Sequence, residues 1–355
     1  MRPNEHEALF DLPDDPVADA DPEPEETPYV DAERGATWYP QSIVDALPGT
    51  GQDSALEAVF EWFLLRDPDG ERFGAVLRES LDQVLDGPRT MRFRYSDLRK
   101  TEKTHVGTIV EINLGKAFDL ADGDKMDYSI AGHDVDCKYS MSLGGWELPQ
   151  ESLGHLVLVT WADDDASRWA AGLWRVDPRH LGRGAGNRDK KHKMLKSGQE
   201  QIAWLWKDAP LDENLLLHLP GDIVTKILGH RSGQQRMNEL FRLVQHRIIR
   251  RDVVLTVGHQ LDSPRRARDT RKFKNLGAEG IIVLGHYEWD VAVAKRLGLP
   301  VPRNGEWVSA RVAPADGEGP TTFSAGGLWW RLATAGEWVA SAPTIPHSKA
   351  LGDAD

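Results

Sequence analysis

The chain has 355 residues and a single cysteine, Cys137. That excludes an internal disulfide and any zinc site built from several thiolates. No apolar run approaches the length of a membrane span, and the N-terminus is acidic where a secretory signal would be basic. There is no GxxxxGK[ST] phosphate loop, and the "GRGAG" stretch is too irregular for a dinucleotide fingerprint. No internal repeat is visible. The expectation is a soluble cytoplasmic protein with no membrane partner and no nucleotide cofactor.

Positive charge is also short overall, with a net charge of −13. The deficit is local. Residues 1–34 hold 12 acidic residues against Arg2 and Arg34, so the other 321 residues carry only about −3. The opening segment is rich in proline and nearly free of large apolar residues, which reads as a disordered tail over 1–35. The rest has the tryptophans and hydrophobic content of a globular protein, with length for two domains. We place them at 36–207 and 208–340, with a second tail over 341–355.

From Ser54, apolar residues recur at helical spacing through Phe63, and a second stripe runs from Phe73 to Leu85, with the turn residues "DPDG" between them. Thr104–Phe118 reads as a helix N-capped by Thr104, although a strand from Thr108 fits the same apolar positions. The "AGH" turn joins two short strands, "MDYSI" and "DVDCKYSM", into a hairpin. Strands at His155–Trp161 and Ala170–Val176 follow. "WKDAPLDEN" has the composition of an interdomain linker. In the second half, "PGDIVTKILGH" and "GQQRMNELFRLVQHR", the latter capped by Ser232, form a helix-turn-helix candidate. "DVVLTVG" and "GIIVLG" read as buried strands, and "SPRRARDTRKFK" as a helix with Ser263 as cap and Pro264 first. From Arg242 to Lys274 there are ten Lys/Arg against three Asp. The fold class is therefore mixed α/β (α+β) in two domains.

Residues two apart on a strand share a face, so Asp134, Asp136 and Lys138 lie opposite Val135, Cys137 and Tyr139. Asp127 can reach the same place across the hairpin, and Glu111 from the preceding element. Carboxylates converging with a lysine suit a divalent cation taking oxygen ligands, typically Mg²⁺, and metal-assisted phosphodiester hydrolysis. An alternating charged strand is also the pattern of a solvated face, and Asp134 fits either role. A carboxylate pair alone would equally serve a glycosidase; the lysine tilts the reading to phosphate chemistry. For duplex DNA, Gln234, Gln235, Arg236 and Asn238 are residue types that can pair with base edges. Arg265, Arg266 and Arg268 suit phosphates. Asn187, Arg188 and Lys191 lie in a basic, glycine-rich loop.

Glu111, Asp127 and "DCK" at Asp136–Lys138, followed by a separate helix-turn-helix and by "SGQQRMNELFRLVQHRIIRRDVVLTV", resemble the NaeI family of type II restriction endonucleases over about residues 40–315. The resemblance implies a PD-(D/E)xK nuclease core and a CAP-like, winged helix-turn-helix domain. Glu111, Asp127 and Asp136 would bind metal beside the catalytic Lys138, with Met126 where the motif's name has proline. It implies a homodimer that cuts double-stranded DNA in restriction–modification, leaving 5′-phosphates, with a second, effector DNA site. A GC-rich palindrome is the expected target. The alternatives are a DNA-repair nicking endonuclease and a non-catalytic helix-turn-helix regulator.

Overall fold

The computed structural model describes residues 38–49, 51–183, 191–261, 263–272, 274–337, 339 and 341–344. Both tail readings lie mostly outside this set. The unit running from Gln41 onward is a mixed α/β structure whose described residues form a six-stranded sheet, a five-stranded sheet and a two-stranded one that pairs Glu147–Leu148 with His192–Lys193. No helix among the described residues is long and apolar enough to cross a membrane.

Helix α1 (Ser54–Arg66) begins where the Asp53 carboxylate accepts from Leu56 N, and buries Val59 and Phe63. Helix α2 (Glu71–Leu85) places Phe73, Leu77, Leu81 and Leu85 inward at helical spacing. A short turn of helix, α3 (Gly87–Thr90), leads towards α4 (Lys100–Phe118). The α4 segment is a helix, as expected, but it starts four residues before Thr104. Glu102 reaches back to accept from Arg99 N at 2.8 Å, and the Thr104 hydroxyl donates to Thr101 O inside the first turns. Capping by Thr104 is thus replaced by a glutamate at the third position, which satisfies one orphan donor.

The first sheet runs β1 (Ala121–Asp122), β2 (Tyr128–Ile130), β3 (His133–Ser140), β4 (Leu156–Asp163), β5 (Arg168–Arg175) and β6 (Ala203–Pro210), each strand beside the next. All neighbours are antiparallel except β3 and β4. The expected hairpin turns through Ala131 and Gly132, both with positive φ, as a two-residue loop matching strand twist requires. The linker reading of "WKDAPLDEN" fails: its first five residues end β6, where the Trp206 side chain joins the first core. Its charged and proline residues are those of an edge strand.

One face of this sheet meets α1, α2 and α4 through Val135, Cys137, Leu156, Leu158, Ala171 and Leu173. The first core therefore fixes which way every residue of β3 points.

The second half contains α5 (Gly221–Leu228) and α6 (Gly233–Leu243), joined through residues 229–232. The segment expected as the strand "DVVLTVG" is instead helix α7 (Arg251–Gly258), which follows the two-residue β7 (Ile249–Arg250). A seven-residue apolar run carries no period that separates the two states. Here Val253, Val254 and Val257 enter the second core, Asp252 sits in the first turn, and Thr256 packs against Gly87. Helix α8 (Ser263–Asp269) follows, then β8 (Ile281–Leu284), the expected "GIIVLG" strand, and helix α9 (Glu288–Arg296). With β9 (Glu306–Ala315), β10 (Phe323–Ala325) and β11 (Leu328–Leu332) the order is β8-β9-β11-β10, and β7 pairs with β9.

A buried ion network ties the segments together. Arg78, on α2, donates to Asp82 (2.7 and 3.0 Å) and to Asp164, at the end of β4. Asn214 donates to the other Asp164 oxygen (2.9 Å) and to Phe93 O (2.7 Å). Burial opposes the Arg78 charge, but the two carboxylates outweigh it and hold the guanidinium protonated. Removing one partner of such a pair strands buried charge. Arg78→Ala is expected to lower the free energy of unfolding by about 3–5 kcal/mol, read from urea titration; a loss below about 1 kcal/mol would show that the network carries no stability.

Candidate active site

Strand β3 carries two chemistries on its two faces. The Cys137 thiol lies in the apolar core, and burial pushes its ionisation well above the ordinary value, so it is not a nucleophile. On the other face, Lys138 Nζ donates to Asp136 Oδ1 at 2.7 Å and to Cys137 O at 3.0 Å, and lies 3.7 Å from Asp127 Oδ2. The Asp127 Oδ2 atom also accepts from Cys137 N at 2.7 Å. Pairing of Tyr128 with Val135 sets this register and puts Asp127 beside Asp136. From α4, Glu111 is held towards the hairpin because its backbone oxygen accepts from the Tyr128 hydroxyl at 2.6 Å.

Asp134 resolves to a structural task. Its two oxygens accept from Asp124 N (2.9 Å) and Lys125 N (3.1 Å), pinning the loop that delivers Asp127. Within that loop a Cβ at Gly123 would stand 2.5 Å from Met126 O and 2.9 Å from Asp134 Oδ1, so only glycine fits. Sequence reasoning had the residue and its face, and missed its partners, which are backbone groups on another strand connection.

The charges do not balance. Asp127 and Asp136 share one ammonium, and Glu111 adds a further carboxylate close enough to be raised, first by burial and then by Asp127. Burial pushes the Asp136 carboxyl up to about 6, against the pull of Lys138. Burial works against the Lys138 charge too, but Asp136 and Asp127 prevail and keep it protonated. The second Asp136 oxygen is buried without a hydrogen-bond partner. Among the described residues no three Asp, Glu, His or Cys side chains form a ready-made metal cage. An oxygen-rich cluster in excess negative charge, with an orphaned carboxylate oxygen, nevertheless fits a hard cation that keeps much of its water and takes one or two carboxylates. The scattered His105, His133 and His155 are not part of it.

The residues expected to contact DNA fall into three groups. Asn187 and Arg188 lie outside the described residues; Lys191 is exposed. Gln235, Arg265 and Arg268 are exposed on α6 and α8. These two helices lie side by side, since Gln234 Nε2 donates to Asn238 Oδ1 (3.0 Å) and to Arg266 O (3.2 Å). Asn238 in turn donates to Asn275 Oδ1 at 3.3 Å, and Arg266 to the Gln260 side chain.

Arg236 is the correction. It is buried, and its guanidinium donates to the carbonyls of Val257, Gly258, His230 and Arg231. It locks the turn before α6 onto the end of α7, and four of its five N–H donors are committed to these carbonyls. Nothing in "GQQRMNEL" marks it apart from its polar neighbours; only the packing of α7 does.

A lysine held among carboxylates is a grouping whose chemistry suits cleavage of an anionic ester. Comparison with known proteins makes it specific. The family model described as restriction endonuclease NaeI matches residues 57–341. The type II restriction enzyme NaeI of Lentzea aerocolonigenes is 48% identical over 307 residues, covering 84% of this chain and 96% of that enzyme. The chain belongs to the NaeI family of restriction endonucleases and is a hydrolase of that kind. The resemblance read from the carboxylates, "DCK" and the following helices is borne out.

Arg236→Ala leaves the buried carbonyls of Val257 and Gly258 short of a donor, each worth about 1 kcal/mol or more, besides the part-buried ones of His230 and Arg231. The expected result is a clear fall in urea midpoint, while Gln235→Ala leaves the midpoint unchanged. Equal midpoints for the two variants would return Arg236 to the set of DNA contacts.

Proposed function

We propose that this restriction endonuclease cuts both strands of duplex DNA at a fixed sequence in a Mg²⁺-dependent reaction centred on Glu111, Asp127, Asp136 and Lys138. The observation that carries the reading is the Lys138 ammonium held between Asp136 and Asp127, beside an unpartnered buried oxygen of Asp136. Asp127 and Asp136 are the residues to hold Mg²⁺, with Glu111 beside them. When bound, the ion polarises the phosphate and lowers the pKa of a water.

The chain's own groups supply the rest. Lys138 Nζ holds the attacking water and offsets charge developing on the phosphate oxygens. Glu111, whose carboxyl is raised, is a better proton acceptor than an exposed glutamate and can take the proton of that water. Attack forms the new P–O bond as the P–O3′ bond breaks, and the departing 3′-oxyanion takes a proton from solvent water, leaving a 5′-phosphate and a 3′-hydroxyl. Cutting both strands needs two such sites in opposite orientation, which a homodimer provides.

In this reading the first half is the PD-(D/E)xK nuclease domain. The second, with α5, α6 and the basic α8, is a winged helix-turn-helix domain that engages duplex DNA, at an effector site as well. Gln235, Arg265 and Arg268 are its exposed candidates for contact. Family membership and a complete set of site residues favour this over a nicking repair enzyme or a non-catalytic regulator.

Purified protein incubated with unmethylated plasmid and Mg²⁺ is expected to give discrete fragments, and none in EDTA. Lys138→Ala should lower the cleavage rate by about 10²-fold or more with DNA binding retained. Loss of binding together with cleavage would make Lys138 structural and overturn its catalytic role.

A further inference from the structure

The first half carries a basic surface that the catalytic cluster does not account for. Residues 89–103 hold six Lys/Arg against Asp97 and Glu102, within a chain of net charge −13. Glu102 is neutralised locally: Arg92 binds both its oxygens at 2.8 and 2.9 Å, and it also closes the start of α4. Arg94, Arg99 and Lys100 are exposed, Lys103 is half-buried, and none of the four makes a salt bridge among the described residues. Two of them lie against rings instead, Arg94 over Phe93 and Lys103 over Tyr95, at 4.9 and 5.0 Å. The aromatic contacts position the cations without cancelling their charge.

Helical geometry connects this cluster to the active site. Eleven residues make just over three full turns, so Lys100 and Glu111 share one stripe of α4, about 16 Å apart along the axis. Thr104 lies between them on that stripe and is exposed. A DNA strand has a phosphate about every 3.4 Å of duplex axis, so the distance corresponds to about five phosphates.

We infer that the start of α4 and the turn before it, through Arg94, Arg99, Lys100 and Lys103, form a phosphate track that seats the duplex being cut, some five nucleotides from the scissile bond. The track rests on the endonuclease reading for the duplex it serves. It does not rest on any chemistry at Asp136. It is built from a different segment of the chain than α6 and α8, and its contacts are to backbone, so it adds affinity and register without sequence preference.

The test is filter retention of linearised, unmethylated plasmid in EDTA across a range of NaCl concentrations. Wild type is compared with Arg94→Ala/Arg99→Ala/Lys100→Ala and with the charge-preserving Arg99→Lys/Lys100→Arg. Each lost phosphate contact reduces the slope of log K against log salt by about 0.9, so the triple variant is expected to lose about 2–3 in slope and at least about tenfold in affinity. The charge-preserving variant should keep the wild-type slope. An unchanged slope in the triple variant, or the same loss in both variants, overturns the track. A wild type that binds with full slope but leaves plasmid intact in Mg²⁺ sinks the endonuclease reading and leaves the track standing. A triple variant that still cuts, with wild-type slope, does the reverse.

Discussion

A strand can offer its residues to only two sides, and β3 uses both without compromise. Val135 and Cys137 are claimed by the core beneath α1, α2 and α4, so Asp136 and Lys138 have no choice but the other face. A slip of one residue would bury the lysine among phenylalanines and expose the valine. The hydrophobic side of the strand thus holds the charged side in register, and the tight turn at Ala131 and Gly132 brings Asp127 across to meet it.

Charge is what this arrangement accumulates. Two carboxylates share one ammonium, a third stands near, and burial makes the negative charges of Asp136 and Glu111 costly. The cluster thus has an apolar wall on one side and an excess of carboxylate over ammonium on the other, the donor chemistry that a hard cation would take. Asp134, Gly123 and Tyr128 set the geometry from outside by fixing the loop and the helix that bring Asp127 and Glu111 in.

The second half shows a comparable use of polar groups for construction. Arg236 gives its guanidinium to four carbonyls at the junction of α6 and α7, and Arg271 is paired with the buried Asp290 beside Gly285. Both arginines look like nucleic-acid ligands when read along the chain. Gln235, Arg265 and Arg268, by contrast, are exposed, as are Arg94, Arg99 and Lys100 in the first half.

Periodicity alone determined the helices at Ser54, Glu71, Gly221 and Gly233, the hairpin around Gly132, and the shared face of Asp136 and Lys138, because each depends on residues within a few positions of one another. Residue types also pointed to Asp127 as a neighbour of Lys138, whose ammonium lies 3.7 Å from its carboxylate. Tertiary structure decided the rest. The Arg251–Gly258 segment became a helix because two other helices and Gly87 bury it on several sides, a situation in which a short apolar run has no local signature. Trp206 to Pro210 became strand because β5 offered an open edge. Arg236 left the surface because two of the carbonyls that hold it, at the end of α7, belong to residues more than twenty positions away, and Asp134 became a loop pin because its backbone partners lie across the hairpin, nine and ten positions away. Local pattern sets what a segment can be; partners distant in sequence choose among the possibilities, since burial and hydrogen-bond satisfaction are settled only when the chain has folded.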